Sequence, residues 1–227
     1  MKKVIYTVIT NGYDRLLNQP RAEGWDYICF SDNEEIKSNF WEIRRIPECL
    51  NYLSSVKKNR CIKILPHKYL SEYDFSIYID GNVSITGDVQ AFVEKNCKES
   101  EGYMFAGKHP YGRKCIYDEE VVLIKLKKDK KEIMDSQIEG YRKEGFPENL
   151  GMTQNSILFR YHNNPECIRL MDCWWSEVEH KSHRDQLSLF YAKWKTNTKI
   201  NYLPESIFKG NCFKWNISHN KPPITLK

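Results

Sequence analysis

Short apolar runs alternate with longer mixed segments along the chain. Runs rich in β-branched and aromatic residues predict strands, and segments with helical spacing predict helices. Strands are predicted at residues 4–10, 26–30, 41–46, 75–79, 103–106, 154–161 and 199–203. Helices are predicted at residues 54–65, 88–95, 119–139, 165–180 and 184–194. Because strands alternate with helices, the pattern predicts an α/β fold with a mostly parallel central sheet flanked by helices.

The segments between these elements carry their own signals. Ser54 or Ser55 is placed to cap the first helix, and Pro66 should end it. The polar segment 140–151 is expected to be a loop that orders over a substrate. The tail from Pro204 is expected to be irregular. No repeat or low-complexity linker divides the 227 residues, so a single domain is expected.

One strand runs directly into a polar tripeptide. The apolar residues 75–79 are followed by Asp80, Gly81 and Asn82. In an open α/β sheet, ligands bind at the carboxyl ends of the strands. A carboxylate there, with an amide oxygen two residues on, can hold a divalent cation and a diphosphate. The alternative is an Asp-Gly-Asn hairpin turn. The strongly apolar strand favours the site, and therefore an enzyme that handles a nucleotide-activated sugar.

The composition is compatible with such an enzyme and argues against a nucleic-acid-binding protein. Hydrophobic residues make up 41% of the chain, which is enough for a sizeable core. The 35 Lys and Arg exceed the 30 Asp and Glu, a mild excess that suits a diphosphate substrate or contact with an anionic membrane face. Nucleic acid is not an expected partner, because the basic residues are interleaved with acids. The basic run 125–131 is interpreted as a solvated helix face or turn.

The cysteines and the N-terminal residues indicate the cellular compartment. None of the eight cysteines forms a Cys-x-x-Cys pair, so a zinc ribbon is not predicted. The first apolar run is too short for a signal peptide, and no segment reaches the length of a membrane span. We therefore expect a cytoplasmic protein that can act at the inner face of the membrane, with free and mostly buried thiols.

Two basic groups flank the tripeptide along the chain. Arg60 and Lys63 are three residues apart on a predicted helix, so they share a face that could balance phosphate charge. The alternative for them is a solvated helix face. His109 and Arg113 follow a predicted strand end and could bind hydroxyls and phosphate, although a lone histidine in such a loop is more often structural.

Two further groups lie in the last quarter of the chain. Asp185 and Gln186 stand at a predicted helix start, where they could grip sugar hydroxyls or a reacting oxygen. An ordinary charged first turn is the alternative. His219 could be a late metal ligand and Lys221 a diphosphate contact, with an unstructured tail as the alternative.

Four motifs follow one another in the same order as in a known family. They span residues 63–67, 73–83, 109–120 and 182–188. This ordered set resembles a glycosyltransferase-like domain family that was first catalogued as a domain of unknown function. Its members include plant proteins linked to seed mucilage and turgor, and bacterial proteins from polysaccharide gene sets. The resemblance extends over nearly the whole chain.

The resemblance implies a nucleotide-sugar transferase of GT-A type, with a nucleotide-binding half at 1–100 and a donor-sugar and acceptor half at 101–227. The residues implied near the nucleotide and diphosphate are Asn11, Asp32, Arg60, Lys63, Asp80, Arg113 and Lys221. Those implied to hold a divalent cation, Mn²⁺ or Mg²⁺, are Asp80, Asn82 and His219. Those implied to carry the chemistry in the donor-sugar or acceptor pocket are His109, Asp185 and Gln186.

The chain departs from the family pattern at one position. An amide, Asn82, ends the metal motif and brings no charge to a cation, which puts metal dependence in question. The segment from His219 to Lys221 resembles the C-terminal His and Lys of some retaining GT-A enzymes.

The expected activity is transfer of a sugar from a UDP- or GDP-sugar to a glycan or lipid-linked acceptor, in surface polysaccharide biosynthesis. If the enzyme inverts, a carboxylate must take the acceptor proton, and Asp185 is the candidate. Two alternatives stay open. A sugar nucleotidyltransferase fits less well, since residues 11–14 lack a glycine-rich, Arg-containing loop. A non-catalytic carbohydrate-binding relic of the fold is the other, and the amide of Asn82 favours it.

Overall fold

The computed structural model of the chain describes residues 1–203, 207–209 and 212–216. The strands are β1 (Lys3–Ile9), β2 (Trp25–Ser31), β3 (Glu42–Arg45), β4 (Phe75–Ile79), β5 (Val83–Ile85), β6 (Met104–Lys108), β7 (Thr153–Arg160), β8 (Asn201–Tyr202) and β9 (Phe213–Trp215). The helices are α1 (Ser55–Ile64), α2 (Pro66–Tyr69), α3 (Val89–Asn96), α4 (Ile116–Lys125), α5 (Lys131–Lys143), α6 (Pro165–His180) and α7 (Asp185–Thr196).

Seven of these strands form one sheet in the order β3-β2-β1-β4-β7-β6-β8. The four strands from β3 to β4 are parallel, and β6 is parallel to β8. Only β7 runs against its neighbours, β4 and β6. The prediction of a mostly parallel sheet flanked by helices in one domain is confirmed.

The topology places a crevice at one edge of the sheet. From β1 the chain builds β2 and β3 on one side, and then returns to place β4 on the other side of β1. The carboxyl ends of β1 and β4 therefore meet where the strand order reverses, which is where open α/β sheets bind ligands. Because β7 is antiparallel to both β4 and β6, the carboxyl end of β6 lies at the same edge.

The sheet is buried on both faces. Along β1, Val4, Tyr6 and Val8 enter one core cluster, while Ile5 and Ile9 enter the other. This follows from the alternation of side chains along a strand, and it explains why the run reads as continuously apolar. Most helices cover the first face, and α3 covers the second together with the small β5–β9 ribbon.

The start and end of α1 follow the prediction. The side chain of Ser54 accepts a hydrogen bond from the backbone N–H of Lys57, so Ser54 is the N-cap. Pro66 stands just after α1, as expected. It also begins the short α2 as its first residue, since a proline at that position loses no helical hydrogen bond.

Two predicted elements differ in the structure. The single helix predicted at 119–139 is two helices, α4 and α5, separated by a turn in which Lys127 has a φ of 51°. A left-handed residue cannot continue a right-handed helix, and the basic segment around it has few apolar side chains to hold it in one. The tail predicted to be irregular contains β9, which pairs antiparallel with β5.

The cysteines match the expectation about burial. All eight are free thiols, and six are buried, with Cys173 intermediate and Cys49 exposed. Within the described residues, no helix combines the length and the apolar character needed to cross a bilayer.

Candidate functional site

Asp80 stands at the end of β4, beside the crevice between β1 and β4. Its backbone N–H donates to the carbonyl of Ser156 on β7 at 2.8 Å, and its carbonyl accepts from the N–H of Val83 at 2.9 Å. The following strand, β5, pairs with β9 and not with β4. The hairpin alternative for residues 80–82 is therefore wrong, and the tripeptide is a turn that leaves the sheet.

The Asp80 carboxylate is held but still accessible. Its Oδ1 accepts a hydrogen bond from the Tyr78 hydroxyl at 2.7 Å and lies 3.8 Å from Lys63 Nζ. Burial, and then the charge of Asp80, raise the pKa of Tyr78 well above its usual range, so the phenol remains a donor. One third of the Asp80 side chain is exposed, which leaves room for a ligand.

The cations of α1 face inward. Lys63 Nζ lies 2.6 Å from Asp185 Oδ2, and both side chains are buried. Arg60 Nε lies 3.7 Å from the same oxygen. The solvated-face alternative for Arg60 and Lys63 is thus wrong. We name the four residues Arg60, Lys63, Asp80 and Asp185 the central cluster.

Asp185 is ionised in this cluster. Burial alone would raise its pKa, but the charges of Lys63 and Arg60 outweigh burial and hold the pKa below its usual range. The residue begins α7, and the indole N–H of Trp174 donates to its backbone carbonyl at 2.9 Å. A carboxylate in the first turn also suits the helix dipole. Asp185 is therefore a fixed anion against which Lys63 is aligned.

A further carboxylate, that of Asp14, lies beside Gly81 of the tripeptide and was not predicted from the sequence. A Cβ added at Gly81 would lie 2.8 Å from the Cβ of Asp14 and 2.9 Å from its Oδ2. Asp14, in the loop after β1, therefore packs directly against the glycine. The only signal in the sequence is that both loops follow predicted strands that end at one edge.

Asn82 forms hydrogen bonds that hold the two-stranded β5–β9 ribbon in place. Its side-chain amide donates to the carbonyl of Asn216 at 3.0 Å, and the amide of Asn216 donates to the carbonyl of Asn82 at 3.1 Å. These bonds join the turn after β4 to the end of β9. The predicted metal role of Asn82 remains a prediction, and its buried amide is committed to holding β5 and β9 together.

Two predicted nucleotide residues meet at the ends of β1 and β2. The backbone N–H of Asn11 donates to Asp32 Oδ1 at 2.9 Å. Asn11 has a φ of 52°, a left-handed conformation that asparagine adopts more readily than most residues. Both side chains are exposed, so they remain open to a ligand at this edge.

His109 and Arg113 lie beyond the carboxyl end of β6 and share one carboxylate. Glu119 Oε2 accepts from Arg113 Nε and lies 3.6 Å from His109 Nε2. Burial, and then the charge of Arg113, lower the pKa of His109 to about 4, so its imidazole is neutral at pH 7. Glu119 belongs to the motif that carries the resemblance, but its pairing was not predicted.

Arg184 and Gln186 connect this group with the central cluster. Burial lowers the pKa of Arg184. The guanidinium also interacts electrostatically with Asp185, Arg60 and Asp80 on one side and with Glu119 on the other. Gln186 donates from Nε2 to the carbonyl of Thr153 at 3.3 Å. The predicted site residues that can be placed therefore lie in three groups along one edge of the sheet: Asn11 with Asp32, the central cluster, and His109 with Arg113.

Two of the predicted residues cannot be placed. His219 and Lys221 lie outside the described residues. Among the residues that are described, no group of three or more His, Cys, Asp or Glu side chains could hold a metal ion.

Comparison with known proteins agrees with the fold. The fold is similar to that of a solved structure described as the apo form of WbbM, a bifunctional glycosyltransferase, with a TM-score of 0.52. The match has 7% identity and covers 88% of this chain but 38% of that chain, so it concerns the fold alone. No curated protein sequence matches. A model of the TOD1/MUCI70 glycosyltransferase-like domain matches residues 29–220, and the chain belongs to that family.

Proposed function

We propose that the chain is a glycosyltransferase that moves a sugar from a nucleoside diphosphate donor to an acceptor hydroxyl. The observation that carries the proposal is the central cluster, with its buried cations beside Asp80 at the crevice between β1 and β4. Departure of a nucleoside diphosphate develops negative charge, and fixed cations in a water-poor site stabilise that charge.

The diphosphate would lie beside Arg60 and Lys63. Lys63 is aligned by Asp185 and cannot swing out to solvent without leaving a buried carboxylate without its nearest partner. Arg60 reaches the same oxygen only at 3.7 Å, and its Nη1 donates to Asn59 Oδ1 at 2.6 Å. The remaining donors of its guanidinium would bind phosphate oxygens. Such preorganisation means that little rearrangement is needed when charge develops on the leaving group.

The nucleoside would extend toward Asn11 and Asp32. A carboxylate accepts hydrogen bonds from ribose hydroxyls or from base N–H groups. Asp32 is exposed and its Oδ1 accepts from the Asn11 N–H, so its orientation is set before a ligand arrives. The arrangement suits either UDP or GDP.

A divalent cation, Mn²⁺ or Mg²⁺, would bind at this site together with the diphosphate. Asp80 offers an accessible carboxylate, and Asp14 lies against Gly81 next to it. Magnesium sites of this kind often use one or two carboxylates plus phosphate oxygens. When bound, the cation would offset charge on the leaving diphosphate.

The role of Asp185 is better described as positioning than as proton acceptance. A general base works best with a pKa near the working pH, and the contacts with Lys63 and Arg60 move the pKa of Asp185 away from it. We therefore propose Asp185 as the counter-ion that orients Lys63. Gln186 and His109 would line the sugar pocket, at the side of α7 that faces β6.

A second candidate is a non-catalytic domain that binds nucleotide sugars. The observation that favours it is that Asn82 is a buried amide that donates to Asn216, so Asp80 is the one carboxylate of the predicted metal motif. The acceptor, a glycan or lipid-linked sugar in surface polysaccharide synthesis, and a cytoplasmic location at the membrane face belong to the transferase proposal.

Two measurements on the full chain test these candidates. Calorimetry with UDP and GDP, with and without Mn²⁺, measures nucleotide binding, and release of nucleotide from a panel of UDP- and GDP-sugars measures turnover. The transferase proposal expects binding and slow donor hydrolysis, with the gain from Mn²⁺ lost in Asp80→Asn. Binding without hydrolysis or product on any acceptor would favour the binding domain. Absence of nucleotide binding under all conditions would refute both.

A further inference from the structure

A second concave feature opens at the carboxyl end of β6. It is a cavity of about 310 Å³, which we name the β6 cavity. Its lining includes Lys108, His109, Arg113, Lys114, Met152 and Tyr202. None of the described side chains that line it is acidic. The described part of the lining is therefore cationic.

Two of these cations have no anionic partner. Lys108 and Lys114 are exposed, and neither makes a salt bridge with any residue that the structure describes. Arg113 uses its Nε for Glu119 and lays its guanidinium over the ring of Tyr111 at 5.2 Å. Glu119 is buried behind the cavity and neutralises a single cation, so the lysine charges remain available to a ligand.

The Nδ1 atom of His109 is buried and has no hydrogen-bond partner among the described residues. The residue as a whole is 6% exposed. Its Nε2 faces Glu119 at 3.6 Å. Because a carboxylate only accepts, the neutral ring carries its proton on Nε2, and Nδ1 is an acceptor. A buried acceptor is costly to leave unpaired, so this residue of the lining suits a ligand that brings a hydroxyl donor.

The position of the cavity suits the second substrate. It lies at the sheet edge that carries Asp80, and Met152 in its wall precedes Thr153, the carbonyl that accepts from Gln186. Two exposed aromatic rings are close by. Tyr202 lines the cavity and stacks on Phe190, and the ring of Tyr111 lies 5.9 Å from that of His109. Exposed rings beside polar groups offer an apolar surface to the face of a sugar.

From these observations we propose that the β6 cavity binds an anionic group, a carboxylate or a phosphate, carried by the sugar acceptor. Lys108 and Lys114 would bind the anion, Nδ1 of the neutral His109 would accept a hydrogen bond from a sugar hydroxyl, and the tyrosines would contact the sugar ring. Assignment of this anion to the acceptor rests on the proposed function, whereas anion binding by the cavity does not.

The test compares three hexose probes that differ in charge. Methyl glucoside is neutral, methyl glucuronide carries a carboxylate, and glucose 6-phosphate carries a phosphate. Ligand-observed NMR titration on the full chain, without nucleotide, gives their dissociation constants. We expect at least one anionic probe to bind about tenfold or more tightly than methyl glucoside, which corresponds to 1.4 kcal/mol. The tighter of the two anionic probes identifies the group.

Variants assign that binding to the cavity. Lys108→Gln/Lys114→Gln should weaken the anionic probe about tenfold and leave the neutral one unchanged, since two charged hydrogen bonds are lost. Lys125→Gln/Lys128→Gln removes the same charge near the other end of α4 and should change neither. Equal affinity for charged and neutral probes, or anion binding that survives Lys108→Gln/Lys114→Gln, would overturn the proposal. Neither outcome bears on nucleotide binding, so the two proposals fail separately.

Discussion

The two charged regions at this edge of the sheet use their cations in opposite ways. In the central cluster, Lys63 is buried and lies 2.6 Å from Asp185. In the β6 cavity, Lys108 and Lys114 are exposed and make no salt bridge within the described residues. One region holds its cation in a single geometry, and the other leaves its two lysines without a carboxylate partner in the described part of the chain.

The difference shows what each arrangement is suited to. A buried ion pair loses much of its attraction to the cost of desolvation, so its main effect is a fixed geometry. Exposed lysines cost little in the folded state and keep their hydrogen-bond donors for a ligand. The central cluster is thus suited to stabilising charge that develops during a reaction, and the cavity to recruiting a charged substrate.

The largest expected effect comes from breaking the buried pair. Lys63→Met leaves Asp185 buried without its nearest partner and should lower the free energy of unfolding by about 3 kcal/mol. Lys108→Met removes an exposed cation and should stay within about 0.5 kcal/mol of the parent. Urea denaturation measures both. Lys63→Met/Asp185→Leu should recover most of the loss, and a Lys63→Met variant as stable as the parent would contradict the difference drawn between the two regions.

A smaller effect is expected where Asp14 packs on the tripeptide. Gly81→Ala places a Cβ 2.8 Å from Asp14 Cβ, so the loop after β1 must move, at a cost of about 1–3 kcal/mol. Gly140→Ala is the control, because a Cβ at Gly140 in α5 meets no atom within 4 Å. That control should stabilise the helix. Thermal melting of both variants measures the difference, and equal behaviour would mean that Asp14 does not constrain the turn.

The two polar residues of the tripeptide should separate in their effects. Asn82→Ala removes the bond to Asn216 and should lower stability by roughly 1–2 kcal/mol, because a buried carbonyl loses its donor. Asp80→Ala should cost less stability, since its carboxylate is one third exposed, but it should abolish the effect of Mn²⁺ on UDP affinity. Denaturation together with UDP titration tests this. The reverse pattern would move the diphosphate site from Asp80 to Asn82.

The smallest effect expected is on the pH dependence of stability. The pKa of His109 falls from 6.5 to about 4 on folding, so the folded state binds fewer protons between these values. Its contribution is therefore complete above pH 6.5 and is lost as the pH falls toward 4. His109→Gln should make the decline in this window shallower. His162, whose pKa is also lowered to about 4, should account for part of what remains. An unchanged slope would show that His109 is not held neutral.

Patterns local in the chain predicted much of this arrangement. The apolar residues before Asp80 predicted a buried strand with its end at the ligand edge, and the three-residue spacing of Arg60 and Lys63 placed both on one helix face. These features depend on periodicity, which is a property of neighbouring residues.

What the sequence did not reveal depends on contacts between distant residues. Strands β5 and β9 have three residues each and pair across more than a hundred positions, so neither shows a strand pattern by itself. The packing of Asp14 against Gly81 joins loops after two different strands. The inward orientation of Lys63 depends on Asp185, which lies 122 positions further along the chain. Local spacing carries no information on such pairs.

The most direct test of the central claim is calorimetric titration of UDP and GDP into Arg60→Gln and Lys58→Gln. Both residues lie on α1 and both changes remove one positive charge, but only Arg60 lies beside Asp185, while Lys58 contacts Asn51. If the central cluster binds the diphosphate, Arg60→Gln should weaken the better nucleotide about tenfold, or 1.4 kcal/mol, and Lys58→Gln should leave it unchanged. Equal affinities for the two variants would contradict a diphosphate site at the end of β4.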